Sequence, residues 1–271
     1  MALGRLGLVL VALIVLTAVL SPWLAPYNPA AIAVPAKLQP PSLAHPFGTD
    51  QLGRDVLSRV IVGTRVALET ALGSVVLAAT LGLALGVTAG HGPRWLDNVL
   101  VLVFDTLRSV PTVMLALALV TLAGPSLATV VLVIIISFTP GYARIARSQT
   151  QALNETEFVA AARAIGAGAP RILARHLAPN VVGPLIVLAS MDIPGAITVE
   201  AGLSFLGLGV RPPTPSWGSV LNDGYAFIGN TPWIILAGGM PLVAATLGFT
   251  FLGEALRDML DPRTRQALSA R

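Results

Sequence analysis

Two carboxylates, Asp192 and Glu200, stand eight residues apart in a stretch, 181–200, that is otherwise apolar. Eight helical residues turn through about 800°, so the pair lies roughly 80° apart around one helix. An acid in such a setting normally faces a bundle interior or a wet cavity, where it can meet an amine or a cation. The structural alternative is a hydrogen bond to a neighbouring helix. Asp105 and Arg108 are three apart and can share a helix face as a local ion pair; Pro111 follows closely and is expected to kink the chain. Arg65 and Glu69 are spaced for an i,i+4 pair. Catalytic arrangements are missing from the sequence. His45, His91 and His176 are scattered, with no His-Glu-x-x-His pair and no Gly-x-Ser-x-Gly elbow. With no cysteine, disulfides, zinc-thiolate sites and thiol redox chemistry are excluded. The single lysine, Lys37, sits in VPAKLQP, which is not a phosphate-binding loop, so any ATP that drives this protein binds another chain.

The elements that position these residues are membrane spans. Only 11% of the 271 residues are charged, 55% are hydrophobic and the mean hydropathy is +0.80; soluble domains carry about 25% charged residues. A spanning helix needs roughly 20 mostly apolar residues. Six stretches qualify: 6–25, 70–90, 100–124, 126–142, 181–200 and 231–253. The first follows Arg5 and has a signal peptide as its alternative, but it is long for one and lacks a small-x-small cleavage site. The expected fold class is therefore all-α integral membrane, with six transmembrane helices. An even number of spans puts both termini on one side. With that side cytoplasmic, twelve basic residues lie inside and five (Lys37, Arg54, Arg59, Arg65, Arg211) outside, as the positive-inside rule requires. The +4 net charge then belongs to loops at the lipid surface rather than to nucleic-acid binding.

One long polar interruption remains, ETEFVAAARAIGAGAPRILARHLAPN at 155–180, between the fourth and fifth spans and so on the cytoplasmic side. Asn154 can cap a helix whose first turn holds Glu155 and Glu157. Phe158, Ala161, Ala162 and Ile165 recur at helical spacing as an apolar stripe, with Arg163 pointing away. Gly166 and Gly168 end that helix, and Pro170 suits the first turn of a second one, with Arg171 and Arg175 four apart on it. Pro179 precedes the fifth span. The expected product is a helix-turn-helix with small residues on its apolar face, suited to close approach by a partner; a plain solvated loop is the alternative.

This stretch resembles the EAA loop of ABC importer membrane subunits, which runs Glu-Ala-Ala, three residues, Gly, then a closing proline. Ala161, Ala162, Gly166 and Pro179 match; Ala160 stands at the glutamate position and Ala178 at the hydrophobic position before the proline. Two more stretches narrow the resemblance. HPFGTDQLGRDVLSRVIVGTRVAL (45–68) reads by itself as an interfacial amphipathic helix that Thr49 or Asp50 can cap, with Leu52, Val56 and Val60 along its apolar edge. AGLSFLGLGVRPPTPSWGSVLNDG (201–224) reads as a span end followed by a rigid loop, because Pro212, Pro213 and Pro215 cannot continue a helix. Their wording is similar to the C-type membrane subunit of the dipeptide, oligopeptide and nickel class of importers.

The resemblance implies a permease subunit, not an enzyme, that forms half of a translocation path for peptides or a related small solute in the inner membrane of a bacterium. It implies a heterodimeric second permease, two ATP-binding subunits that carry ATP and Mg, and an extracytoplasmic binding protein, with no cofactor or metal in this chain. By the same carry-over, Glu157, Phe158, Ala161, Ala162, Gly166, Ala167, Arg171 and Pro179 meet the ATPase. Asp50, Arg54, Asp55, Pro212, Pro213 and Trp217 face the binding protein, and Asp192 and Glu200 lie on the path. The expected organisation is a first helix with an external segment (1–65), a permease core (66–256) with the coupling loop at 144–180 and an external loop at 205–230, and a cytoplasmic tail (257–271). A self-sufficient secondary transporter or channel is the competing class. It needs internal repeats and coupling-ion residues at the midplane, and the sequence offers no repeat.

Overall fold

The computed structural model describes residues 2–260; residues 261–271, most of the predicted tail, lie outside them. Among the described residues the ordered elements are helices: α1 (Ala2–Leu24), α2 (Val56–His91), α3 (Arg94–Ser109), α4 (Thr112–Ala123), α5 (Leu127–Asn154), α6 (Glu157–Ala164), α7 (Ala169–Ile172), α8 (Ala178–Phe205), α9 (Trp217–Tyr225) and α10 (Pro232–Leu260). A 3-10 turn, Val34–Ala36, lies in the first connection, and a π-helical turn, Leu173–Leu177, joins α7 to α8.

Five helices are individually long and apolar enough to cross a membrane, and the α3–α4 pair makes a sixth if counted as one broken span. The stretch 100–124, expected as one kinked span, is thus two helices, with a turn of 92° at the break. Pro111 explains the break: it cannot supply the helical N–H, and it disfavours helical geometry at Val110, whose ψ is 120°. The 45–68 segment and the second span, expected as separate pieces, are joined, because α2 runs unbroken for 36 residues from Val56; position 65 falls inside it. Nor does Pro179 separate loop from span. It follows closely on the π-helical turn Leu173–Leu177, and helical structure continues from Ala169 to Phe205.

The contacts sort the chain into two compact units. One comprises residues through Gly73, Ala116–Leu132 and the residues from Ser190 on; the other comprises Ser74–Leu115 and Val133–Ala189. In the first, α1 packs on α10 through glycine. A side chain on Gly7 would meet the Leu252 backbone nitrogen at 2.8 Å, and one on Gly248 would meet Leu10 Cβ at 2.9 Å. Small residues let two helices in lipid approach backbone to backbone, where packing must replace the hydrophobic drive that water would supply. In the second, α2 and α5 close in the same way along Gly82, Gly86 and Gly90, which face Tyr142, Ala143, Ala146, Arg147 and Thr150. Asp97 on α3 is held by Arg147 on α5, with Nη2 to Oδ2 at 2.6 Å. Asp105 pairs with Arg144 on α5 and not, as its spacing suggested, with Arg108, which has no ion pair among the described residues. Arg65 and Glu69 do pair, at 2.7 Å, both largely exposed.

Candidate functional site

The connection between α5 and α8 folds as two short helical pieces. Asn154 is not the cap of the first, as its type suggested. It is the last residue of α5, and its amide donates to Gly90 O at 3.0 Å while its Oδ1 lies 2.8 Å from His91 Nδ1. Thr156 occupies the cap position, without a side-chain cap bond, and Glu157 begins α6. Gly166 adopts a φ of +81°, which only glycine takes without strain. The Ala167 N–H bonds Ala162 O and the Gly166 N–H bonds Arg163 O, both at 3.0 Å, so the last carbonyls of α6 are satisfied by a Schellman closure. Gly168 then caps α7, with Pro170 in its first turn.

Val159 and Ala162 on the first piece and Ile172 and Leu177 on the second are buried. The predicted stripe splits about this core. Ala162 turns inward, whereas Phe158, Ala161 and Ile165 stay outward, Ile165 at 86% exposure. They line, with Ala162, Ala167, Arg171 and His176, an open cavity of about 340 Å³. The His176 ring stacks obliquely on Phe158, centroids 6.4 Å apart. Arg171 and Arg175 are exposed and have no ion pair among the described residues. Val159, Ile172 and Leu177 in the core and His176 on the cavity wall are the members that the sequence pattern did not single out. Pro179 is exposed, one turn of chain beyond the cavity.

A second cluster surrounds the start of α2. Asp50 accepts from Arg54 Nε at 2.6 Å and Arg59 Nη1 at 2.7 Å, and its other oxygen takes the Leu52 and Arg54 backbone N–H groups. Asp223, on α9, accepts from the same two arginines at 3.0 and 2.8 Å and from Gln51 at 2.7 Å. The helix is capped not by Thr49 or Asp50 but by Asp55, whose Oδ2 takes the Ser58 N–H and hydroxyl while His45 meets Oδ1 at 2.9 Å. Trp217 is fully buried, its indole N–H on Val60 O at 3.2 Å.

Four of the six residues expected to face a binding protein, Asp50, Arg54, Asp55 and Trp217, are therefore interior and hold the 26–55 segment, α2 and α9 together; Pro212 and Pro213 are exposed. Arg59, Asp223 and Gln51 belong to the cluster and were not found from sequence. Asp223 and Arg59 lie 164 positions apart, and no local spacing links them.

The two carboxylates of α8 also part company. Glu200 is wholly buried, its Oε1 accepting from Ser204 at 2.8 Å with the Ser216 hydroxyl close by, so it does not line an open path here. A side chain on Gly218 would strike the Ala201 carbonyl, which shows how tightly α9 closes over that turn of α8. Asp192 is half-buried. Among the described residues no group of three histidine or carboxylate side chains is placed to hold a metal ion.

This architecture has known relatives. The model for binding-protein-dependent transport system inner membrane components matches residues 82–266, more than half of the chain. The chain belongs to that family. A second model, the N-terminal transmembrane domain of oligopeptide transport permease C, matches residues 3–41. The chain is 41% identical over 261 residues to a putative peptide transport system permease protein of Brucella suis, covering 96% of this chain and 88% of the relative. It is 40% identical over 258 residues to the nickel transport system permease protein of Escherichia coli K12, covering 95% and 93%. It is 38% identical over 263 residues to a dipeptide transport system permease protein of Alkalihalophilus pseudofirmus, covering 97% and 86%. A chain of the inward-facing MetNI methionine ABC transporter shares the fold, with a TM-score of 0.61 at 18% identity, over 75% of this chain and 96% of that one. This permease subunit is thus a multi-pass inner-membrane protein and one member of a transport complex, not itself catalytic.

Proposed function

We propose that this permease forms half of the translocation path of an ATP-driven importer, paired with a second permease and driven by two ATP-binding subunits that carry ATP and Mg. An extracytoplasmic binding protein delivers the solute, a peptide or another small solute of the kind that the relatives' names record. Both termini lie in the cytoplasm, following the arginine bias. The α6–α7 connection meets the ATPase and passes its closure to α5 and α8, which enter and leave that connection directly; alternating access is the bistable rearrangement that results. Asp192 stands on the path, and the exposed Pro212–Pro213 loop receives the binding protein. The observation that carries this reading is the connection itself: an apolar surface turned outward beside buried residues of the same connection, in a chain of this family.

The test is uptake by proteoliposomes holding the full complex. ATP-dependent, binding-protein-dependent uptake is expected, and uptake by this chain alone would instead make it a secondary transporter. Gly166→Glu should reduce uptake to background while leaving membrane insertion intact. A non-glycine residue at φ +81° costs roughly 1–2 kcal/mol, and the new carboxylate stands in open space beside the cavity, where a partner must approach. Normal uptake by that variant would remove the docking role from the connection.

A further inference from the structure

The cavity on the α6–α7 connection has a definite chemistry. Its wall is apolar, made by Phe158, Ile165 and the small side chains of Ala161, Ala162 and Ala167. Its one formal charge is the Arg171 guanidinium, which no carboxylate among the described residues neutralises. Its volume, about 340 Å³, is room for one large side chain. A chain that leaves Ile165 at 86% exposure outside any span, beside an unpaired arginine, presents an anchor pocket with a charged rim.

We propose that the cavity receives one large apolar side chain of the ATPase subunit, borne on a segment whose carboxylate pairs with Arg171. The inference rests on the docking reading above and goes further: in this contact the permease supplies the cation and the ATPase the anion. Charge complementarity selects this occupant over the chain's own C-terminal residues 261–271, which carry Arg263, Arg265 and Arg271 against a single Asp261 and would be repelled by Arg171. A planar guanidinium at the rim also orients the incoming segment, because it presents a fork of donors matched to a carboxylate.

The experiment measures binding of the ATPase subunit to the permease complex in lipid nanodiscs, at low and high salt. Ala161→Leu fills the cavity from an exposed position and leaves the buried core of the connection untouched. It should weaken binding by about 30-fold, the loss typical of a blocked anchor. Arg171→Glu should weaken it by about tenfold and remove much of its salt dependence, and Arg171→Lys should stay within about threefold of wild type. A lysine in place of the partnering acid on the ATPase should restore the Arg171→Glu variant. Unchanged binding by both Ala161→Leu and Arg171→Glu, with wild type still binding, overturns this inference and leaves the docking reading standing. Weakening by Ala161→Leu alone overturns its ionic half. A wild-type complex that binds no ATPase subunit overturns the docking reading itself.

Discussion

Asp50→Ala should leave little folded protein, and what survives should melt about 10 °C lower in detergent. The substitution removes four hydrogen bonds at once, two from arginine side chains and two from backbone N–H groups. Arg54 and Arg59, at 7% and 4% exposure, would then share only Asp223. Removing one partner of a buried ion pair costs about 3–5 kcal/mol, because the other charge is left uncompensated. In a chain of this size each kcal/mol is worth roughly 2–4 °C. Asp50→Asn keeps the acceptor for the Leu52 and Arg54 N–H groups and should fall between. Glu69→Ala, which removes an exposed pair, should melt like wild type, since such pairs contribute about 0–1 kcal/mol. Thermal melts followed by size-exclusion recovery separate the three, and equal melting of Asp50→Ala and Glu69→Ala would show that the cluster does not hold the segment.

Gly86→Leu should be at least as damaging, in the other compact unit. A side chain there would collide with the Ala143 carbonyl, with Ala146 Cβ at 2.5 Å and with the Arg147 nitrogen at 3.0 Å. Two of the three obstacles are backbone, so no rotamer change relieves them, and α2 must move away from α5. That motion also strains the Arg147–Asp97 pair, which joins α5 to α3. Overpacking of this kind typically costs about 1–3 kcal/mol, and more where backbone is struck. The control is on the same helix: Gly73 has open space beyond it, so Gly73→Leu should leave the fold of this chain intact. Protease resistance in membranes is the readout. A Gly86→Leu variant as resistant as Gly73→Leu would mean that α2 and α5 are not in backbone contact.

The amino-acid sequence by itself determined that the chain is helical and membrane-embedded, because apolar runs of spanning length have no other stable form in lipid. It also determined the turn at Gly166, the break at Pro111 and the polar connection that marks the family, since each depends on neighbours within a few residues. The glycines at 82, 86 and 90 were not singled out in the sequence, because only their partner helix gives them a role. Tertiary structure decided the rest. It chose Asp55 over Asp50 as the cap of α2, because Asp50 is drawn into the arginine cluster. It paired Asp105 with Arg144 instead of Arg108. It buried Glu200 and left Asp192 half-exposed, although both are acids on one apolar helix, because α9 closes over only one of them. It turned Phe158 and Ile165 outward while Ala162 went in. Each of these is a choice between partners far apart in the chain. Helical spacing says which residues share a face, and only the packing of other elements says whether that face meets lipid, protein or solvent.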